Sequence, residues 1–340
     1  MADERQDSTP RWQSAAVTGA LPRGALPTLQ QHPRYAATLS LLGRLSLVYR
    51  LRQGGRTQAT VQVLCRELPV IGRVGLVSGG PVWAPGLAEP ARASAYRGLL
   101  ARLRADLGVA AITPLAEAGG DPLDRSGWLA AMTPPVAARL DLGPDPAAER
   151  ARQHGKWRNR LAAAERGALC LRNAAMPDRG DHWLIAAEIR QRKARGYSGL
   201  PPGFSLAWIR RNGADAARLF WAEAAGEPVA GMVFLLHPPT ATYQIGWSGP
   251  VGRRLGAHPL LLSRAMGWLR RQGVRAVDLG PLDTDRAPGL ARVKLGAGAR
   301  PRVFGASLGF APPAPGPPGM AGFRRIDTAP NLGPHPRNRA

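Results

Sequence analysis

One order of segments occurs twice in this 340-residue chain and limits what it can fold into. Three strand-like segments, a Gly-Pro break, an amphipathic helix and a short strand are predicted over 44–113, and again over 217–279. The two stretches differ in sequence, so only the architecture repeats. The pattern predicts an α+β protein with two tandem domains, each a mixed, mostly antiparallel sheet flanked by helices.

The division of the chain follows from this repeat and from local composition. A length of 340 residues favours two cores of medium size over one large core. Polar and Pro/Gly-rich ends predict disorder at both termini. We expect a disordered segment over 1–25, a first domain over 26–145, a second domain over 146–310 and a disordered tail over 311–340. Further helices are predicted within 26–42, 147–167, 182–195 and 205–211.

The net charge is strongly positive, at +23 from 46 Lys plus Arg and 23 Asp plus Glu. A GC-rich genome produces an excess of Arg, Ala, Gly and Pro, and this compositional origin is one interpretation of the charge. The functional interpretation is a polyanionic partner: tRNA, coenzyme A, a pyrophosphate-linked cell-wall precursor or an acidic membrane surface. The charge does not choose among these, and DNA is not an expected partner.

Several classes of protein are disfavoured by what the sequence lacks. The two cysteines, Cys65 and Cys170, are far apart and form no CxxC pair, which predicts neither a disulfide scaffold nor a metal site. No Walker loop or nucleophile elbow is present. The polar N-terminus lacks the apolar core of a signal peptide, and no run of 18 apolar residues occurs. We expect a cytoplasmic protein without an integral membrane segment.

The stretch 276–302 carries the leading catalytic candidates. An apolar strand there breaks at Gly280 and Pro281 and leads into a loop with Asp283 and Asp285. Each Asp is either a general base for an amine or an ordinary turn residue. Lys294 is one of only three lysines among 46 basic residues, so composition explains it poorly. Phosphates are a second possible partner of Lys294, together with Arg292, Arg300 and Arg302.

A basic turn before the predicted helix 255–272 is the candidate donor site. A helix start presents unpaired N–H groups and the positive end of the helix dipole, which suits a pyrophosphate. A plain helix start is the alternative interpretation. The residues concerned are Arg253, Arg254, Gly256 and Ala257.

Four more side chains are candidates for substrate contact. Lys156 and Arg160 lie on one face of the predicted helix 147–167, which is either solvated or turned toward a phosphate-bearing ligand. Trp83 lies after the third predicted strand, and Tyr243 lies in a strand predicted over 242–247. Arg292 belongs to the same set through its place near Lys294.

Five loose motifs, in order over 26–308, resemble the Fem-type branch of the GNAT acyltransferase superfamily. That branch includes the peptidoglycan-bridge aminoacyltransferases. The motifs are Gln31-x-Pro33-x-Tyr35, Gly80-Pro81-Val82-Trp83, a Lys/Arg-rich helix ending at Glu165-Arg166-Gly167, the hairpin segment 226–231, and a stretch from Asp278-Leu279-Gly280 to Lys294-x-Gly296.

The resemblance implies two GNAT-like domains and direct transfer of an acyl group to an amine, for which an amine on a cell-wall precursor is one candidate. The implied donor is either acetyl-CoA or another acyl-CoA, held by the turn at Arg253, or an aminoacyl-tRNA. In that turn His258 stands where the family's motif has Gly or Ala. The family's functional lysine falls on Lys294, implied to stabilise phosphate or the reacting carbonyl. The long helical arm of some bridge enzymes is missing. A non-catalytic module that binds RNA or acidic lipid is the third alternative.

Overall fold

The computed structural model describes residues 10–310 except 18, 70–71, 108, 117–120, 124–128, 133, 197–198 and 286. The first sheet contains β1 (Arg11–Ala15), β2 (Leu45–Gln53), β3 (Arg56–Leu68), β4 (Gly72–Ser78), β5 (Val82–Trp83), β6 (Val109–Thr113), β7 (Leu129–Met132) and β15 (Ser307–Phe310). The second contains β8 (Val136–Asp141), β9 (Cys170–Ala175), β10 (Ala217–Ala224), β11 (Glu227–His237), β12 (Thr240–Ser248), β13 (Ala276–Pro281) and β14 (Arg300–Val303). The helices are α1 (Pro33–Leu41), α2 (Glu89–Asp106), α3 (Pro146–Arg152), α4 (Gly155–Glu165), α5 (Trp183–Arg195), α6 (Phe204–Asn212), α7 (Pro250–Arg254), α8 (Ala257–Arg271) and α9 (Pro288–Gly296).

Both sheets share one internal pattern. The strand order is β1-β2-β3-β4-β6-β15-β7 in the first, with β5 beside β3, and β14-β8-β13-β12-β11-β10-β9 in the second. In each sheet three successive antiparallel strands are followed by a helical connection to a parallel neighbour, β6 beside β4 and β13 beside β12. The predicted α+β class, with two tandem and mostly antiparallel units, is confirmed.

The two sheets exchange strands across the boundary predicted near residue 145. Strand β8 precedes that point but lies between β13 and β14 in the second sheet. Strand β15 comes from the end of the described chain but lies between β6 and β7 in the first. The ranges 26–145 and 146–310 therefore do not coincide with the sheets, because strand partners are chosen across space and sequence order does not reveal them.

The prediction of disorder over 1–25 is wrong for β1, which pairs with β2 at the edge of the first sheet. Its one buried side chain, Trp12, packs under α2 and donates its indole N–H to the Ala95 carbonyl at 2.8 Å. A polar edge strand carries little hydrophobic signal, which is why composition failed here. Residues 1–9 and the predicted tail 311–340 lie outside the described residues.

Two helices predicted as continuous are interrupted. The helix over 147–167 is divided into α3 and α4, where the His154 side chain accepts the Lys156 N–H at 3.3 Å and caps α4. The helix over 255–272 begins only at Ala257, because Gly256 has φ +67°, a conformation that favours glycine. The start of α8 lies beside the end of α4, where Gly256 meets Ala164.

The second sheet is covered on both faces. Helices α4 and α8 pack on one face through Trp157, Leu161 and Leu261. On the other face α5 and α6 pack together with α1 of the first domain, so that Tyr35 shares a core with Trp208. The two domains are thus joined by common apolar packing. Within the described residues no helix is both long and apolar enough to cross a membrane.

Candidate active site

Strands β12 and β13 separate in the middle of the second sheet. They pair in parallel only from Thr240 and Ala276 to Thr242 and Asp278, although β12 continues to Ser248 and β13 to Pro281. An irregularity in the pairing of β12 with β11 falls at the same level, next to Tyr243. Carboxyl ends of diverging parallel strands are a common place for ligands, because neither strand fills the space between them.

A row of charged side chains lies on one face of the sheet at this split. Arg139 of β8 is opposite Asp278 of β13 on one side and opposite Arg300 of β14 on the other. Directly opposed residues, and residues two apart on a strand, share a face of a sheet. Asp141 and Arg302 therefore join them, which places five charged residues together.

Lys294 of α9 is buried against the end of β13, and the residue is only 5% exposed. Its Nζ donates to the Pro281 carbonyl oxygen at 2.7 Å. Burial lowers the pKa of Lys294 to about 8, and the neighbouring Asp278 opposes that shift. A lysine held this way is a cation at neutral pH that water screens poorly, so it acts strongly on charge that forms nearby.

Asp278 is the carboxylate coupled to Lys294. It accepts the Gly280 N–H at 2.7 Å, and Gly280 takes a left-handed φ of +80° that favours glycine. Burial raises the pKa of Asp278, while that N–H and the nearby cations Arg302, Lys294 and Arg139 oppose the rise. Sequence reasoning passed over Asp278 as a catalytic candidate. The available signal was a carboxylate within an otherwise apolar strand.

The two carboxylates predicted as bases lie on the loop between β13 and α9. The Asp285 N–H donates to Asp283 Oδ1 at 3.1 Å, a contact typical of a turn. Asp285 is exposed, and Arg292 is exposed on α9. The loop thus lies beside the site, while the carboxylate that acts on the Lys294 charge is Asp278.

The predicted donor turn lies against α4. Arg253 and Arg254 are exposed, whereas Gly256 and Ala257 are buried. A Cβ added to Gly256 would lie 3.2 Å from the Ala164 Cβ. Arg160 Nη2 donates to the Arg253 carbonyl at 2.6 Å. Arg160, Arg254 and Gly256 line one surface pocket, so the structure brings these predicted residues together.

Helix α4 lies across the helices that follow the two diverging strands. Its buried face carries Trp157, Leu161 and Ala164. Ala164 meets Gly256 at the start of α8, and at the other end a Cβ on Gly296 of α9 would lie 2.9 Å from the Trp157 ring. The chain itself therefore occupies the space between α8 and α9 on this side of the sheet.

The remaining predicted contacts lie elsewhere. Trp83 packs against Tyr96 and Trp12 in the first domain, with ring centroids 5.1 and 6.4 Å away. Lys156 is exposed on α4. The Tyr243 hydroxyl and His258 Nε2 are 3.1 Å apart, and burial lowers the pKa of His258 to about 4, which leaves this imidazole neutral at pH 7.

Comparison with known proteins identifies one domain. Residues 149–286 match the family model described as an acetyltransferase (GNAT) domain. No curated protein matches the sequence. The match covers α4, the donor turn and the diverging strands, and it ends just before α9.

Two solved structures share the fold, and a third is a weaker match. The crystal structure of FemX matches with a TM-score of 0.68 and 12% identity, covering 86% of this chain and 96% of that one. A conserved protein of unknown function from Bacteroides thetaiotaomicron matches at 0.51 and 10%, covering 88% and 100%. A tandem GNAT protein from the clavulanic acid biosynthesis pathway matches at 0.47 and 15%, covering 89% and 98%. Together with the match to a GNAT domain, the FemX-like fold agrees with the fold that the resemblance to the Fem-type branch implies.

Proposed function

We propose that this protein, a GNAT-superfamily protein with a FemX-like fold, transfers an acyl group from an activated carbonyl donor to an amine. The observation that carries the proposal is the buried Lys294 beside Asp278, at the point where β12 and β13 separate. A fixed cation at such a place stabilises the negative charge that develops on a carbonyl oxygen under attack.

The reaction is direct. The amine nitrogen attacks the donor carbonyl, the tetrahedral intermediate collapses, the bond to the sulfur or oxygen of the carrier breaks, and the amine proton leaves. Lys294 stabilises the oxyanion. Asp278 orients the amine and accepts its proton, since burial raises the pKa of Asp278 and makes this carboxylate a stronger base. Asp283 and Asp285, on the adjoining loop, are the alternative bases.

The packing of α4 favours a donor whose carrier stays outside the protein. A carrier arm lying between α8 and α9 would compete with Trp157 and Ala164. An aminoacyl ester on tRNA needs only its acyl end at Lys294, and the net charge of +23 suits a polyanionic carrier. Acyl-CoA is the second candidate, favoured by the pocket that Arg160, Arg254 and Gly256 form.

A thermal-shift series separates the two donors. We expect acetyl-CoA, longer acyl-CoAs and desulfo-CoA to raise the Tm no more than ATP does at equal concentration, because α4 fills the space between α8 and α9. A shift specific to CoA compounds, and lost in Arg254→Gln, would instead assign the donor turn to coenzyme A.

Transfer itself tests the proposed function. Purified protein is given acyl-CoA or aminoacyl-tRNA with an amine acceptor such as a cell-wall precursor, and the acylated amine is measured by mass spectrometry. We expect product with wild-type protein and almost none with Lys294→Met. Product formed equally by both proteins would exclude Lys294 from the chemistry.

A further inference from the structure

Exposed leucines gather at one end of the first sheet. In the part of the chain that the structure describes, ten large aliphatic side chains are exposed, and half of them belong to two short segments, 41–45 and 68–76. Scattered exposed leucines are ordinary on a protein surface, whereas a cluster of them indicates an interaction surface. The cluster, called the leucine patch below, consists of Leu41, Leu42, Leu45, Leu68 and Leu76.

The strand register brings the two segments together. Leu45 at the start of β2 is opposite Cys65 of β3, and Leu76 of β4 is opposite Leu64, the residue before it. Strand β3 then continues to its last residue, Leu68, and the end of α1 leads directly into β2. The patch therefore surrounds the end of the sheet at which β2 and β4 begin and β3 ends.

Arginines without acidic partners lie among these leucines. The segments 41–46 and 64–76 contain three arginines and a single acidic residue, Glu67. Arg73 is paired with Glu67, with Nε 2.7 Å from Oε1. Arg44 and Arg66 are exposed, and among the described residues neither guanidinium makes a hydrogen bond or an ion pair. This end of the first domain therefore presents unpaired positive charge beside apolar side chains.

This combination of charge and apolar surface distinguishes among partners. A second copy of the chain, docked by the same surface, would bring like-charged arginines together, which is unfavourable. A nucleic acid would use the arginines on its phosphates and leave the leucines in water. An anionic lipid surface uses both, because its headgroups attract Arg and the boundary with its acyl chains takes up apolar side chains.

We propose that the leucine patch docks this protein on the surface of a membrane that contains anionic lipids. Leu45 and Leu76 are opposite consecutive residues of β3, so they lie on opposite faces of the sheet. The leucines thus project around a protruding end, which enters the headgroup region while Arg44 and Arg66 contact lipid phosphates. This docking does not depend on the proposed acyl transfer.

The test measures co-sedimentation of the full chain with vesicles of phosphatidylcholine alone, and of equal parts phosphatidylcholine and phosphatidylglycerol. We expect binding to the mixed vesicles only, weakened by high salt. Leu41→Ser combined with Leu42→Ser should lower the partition coefficient about tenfold. The control Ile189→Ser should leave it unchanged, because Ile189 on α5 is 53% exposed, much like Leu41 at 52%, but lies outside the patch.

The charge contribution has its own pair of variants. Arg44→Gln combined with Arg66→Gln should lower the partition coefficient about 30-fold, since each Arg near an anionic surface contributes to binding. The matched control combines Arg195→Gln with Arg271→Gln, two exposed arginines outside the patch, and should bind as the wild type does. Circular dichroism checks that every variant is folded, and Leu68→Ser replaces the double leucine variant if that protein does not fold.

Four results would overturn the proposal. They are no binding to the mixed vesicles, undiminished binding by the folded leucine variant, an equal loss in Ile189→Ser, and an equal loss in the arginine control. A wild-type dimer that the leucine variant does not form, seen by sedimentation equilibrium, would assign the patch to a second copy. Loss of polyuridylate binding in the leucine variant, with vesicle binding retained, would assign it to RNA. None of these measurements needs turnover, so their failure is distinct from failure of acyl transfer.

Discussion

Lys294→Met is expected to lower kcat/KM for acyl transfer roughly 100- to 1000-fold, the range found when one stabilising group for an oxyanion is removed. Methionine keeps the length and apolar stem of the side chain but has no charge and no N–H. The site therefore keeps its shape and loses the cation. Initial rates with whichever donor supports transfer in the mass-spectrometric assay, at saturating and limiting acceptor, give the value.

The matched control is Lys193→Met, the same change at an exposed position on α5. It is expected to retain wild-type rates, and circular dichroism should show both variants folded. If a folded Lys294→Met protein kept more than a tenth of the wild-type rate, the charge of Lys294 would have no direct part in the reaction.

The same residue predicts a pH limit on turnover. The active form is the ammonium, and burial lowers the pKa of Lys294 to about 8. Wild-type kcat should therefore fall above pH 8 and approach a tenfold loss per pH unit. A rate that stayed level to pH 10 would contradict this assignment of the charged form.

The second large effect concerns stability. A buried lysine with a lowered pKa destabilises the folded state at every pH at which the lysine is protonated. The unfolded chain binds the Lys294 proton up to its ordinary pKa of 10.5, and the folded protein only to about 8. Stability therefore rises with pH between these values. Between pH 7 and pH 10, the free energy of unfolding of the wild type should therefore rise by about 2 kcal/mol more than that of Lys294→Met.

Urea denaturation of both proteins at pH 7, 8, 9 and 10 measures this difference directly. Comparing each protein with itself across pH removes the constant cost of losing the hydrogen bond to Pro281. A difference between the two proteins that did not change with pH would mean that Lys294 titrates normally and is more hydrated than its burial indicates.

Only part of the candidate site could be predicted from the sequence. Lys294 was predicted because lysine is rare in the chain and falls in the Lys-x-Gly motif. Asp278 and Arg139 were not singled out, because 139 residues separate them and only the strand register makes them neighbours. The donor turn was found by its glycine, but its burial under Ala164 depends on the place of α4, which no local pattern encodes.

The sequence by itself determined the repeated order of strands and helices and the α+β class, because periodicity is a local property. Tertiary structure alone decided the exchange of β8 and β15 between the sheets, the charged row on the second sheet and the position of α4 across the diverging strands. These features depend on hydrogen bonds and contacts between segments far apart in the chain. Local sequence patterns do not show which distant segments will pair.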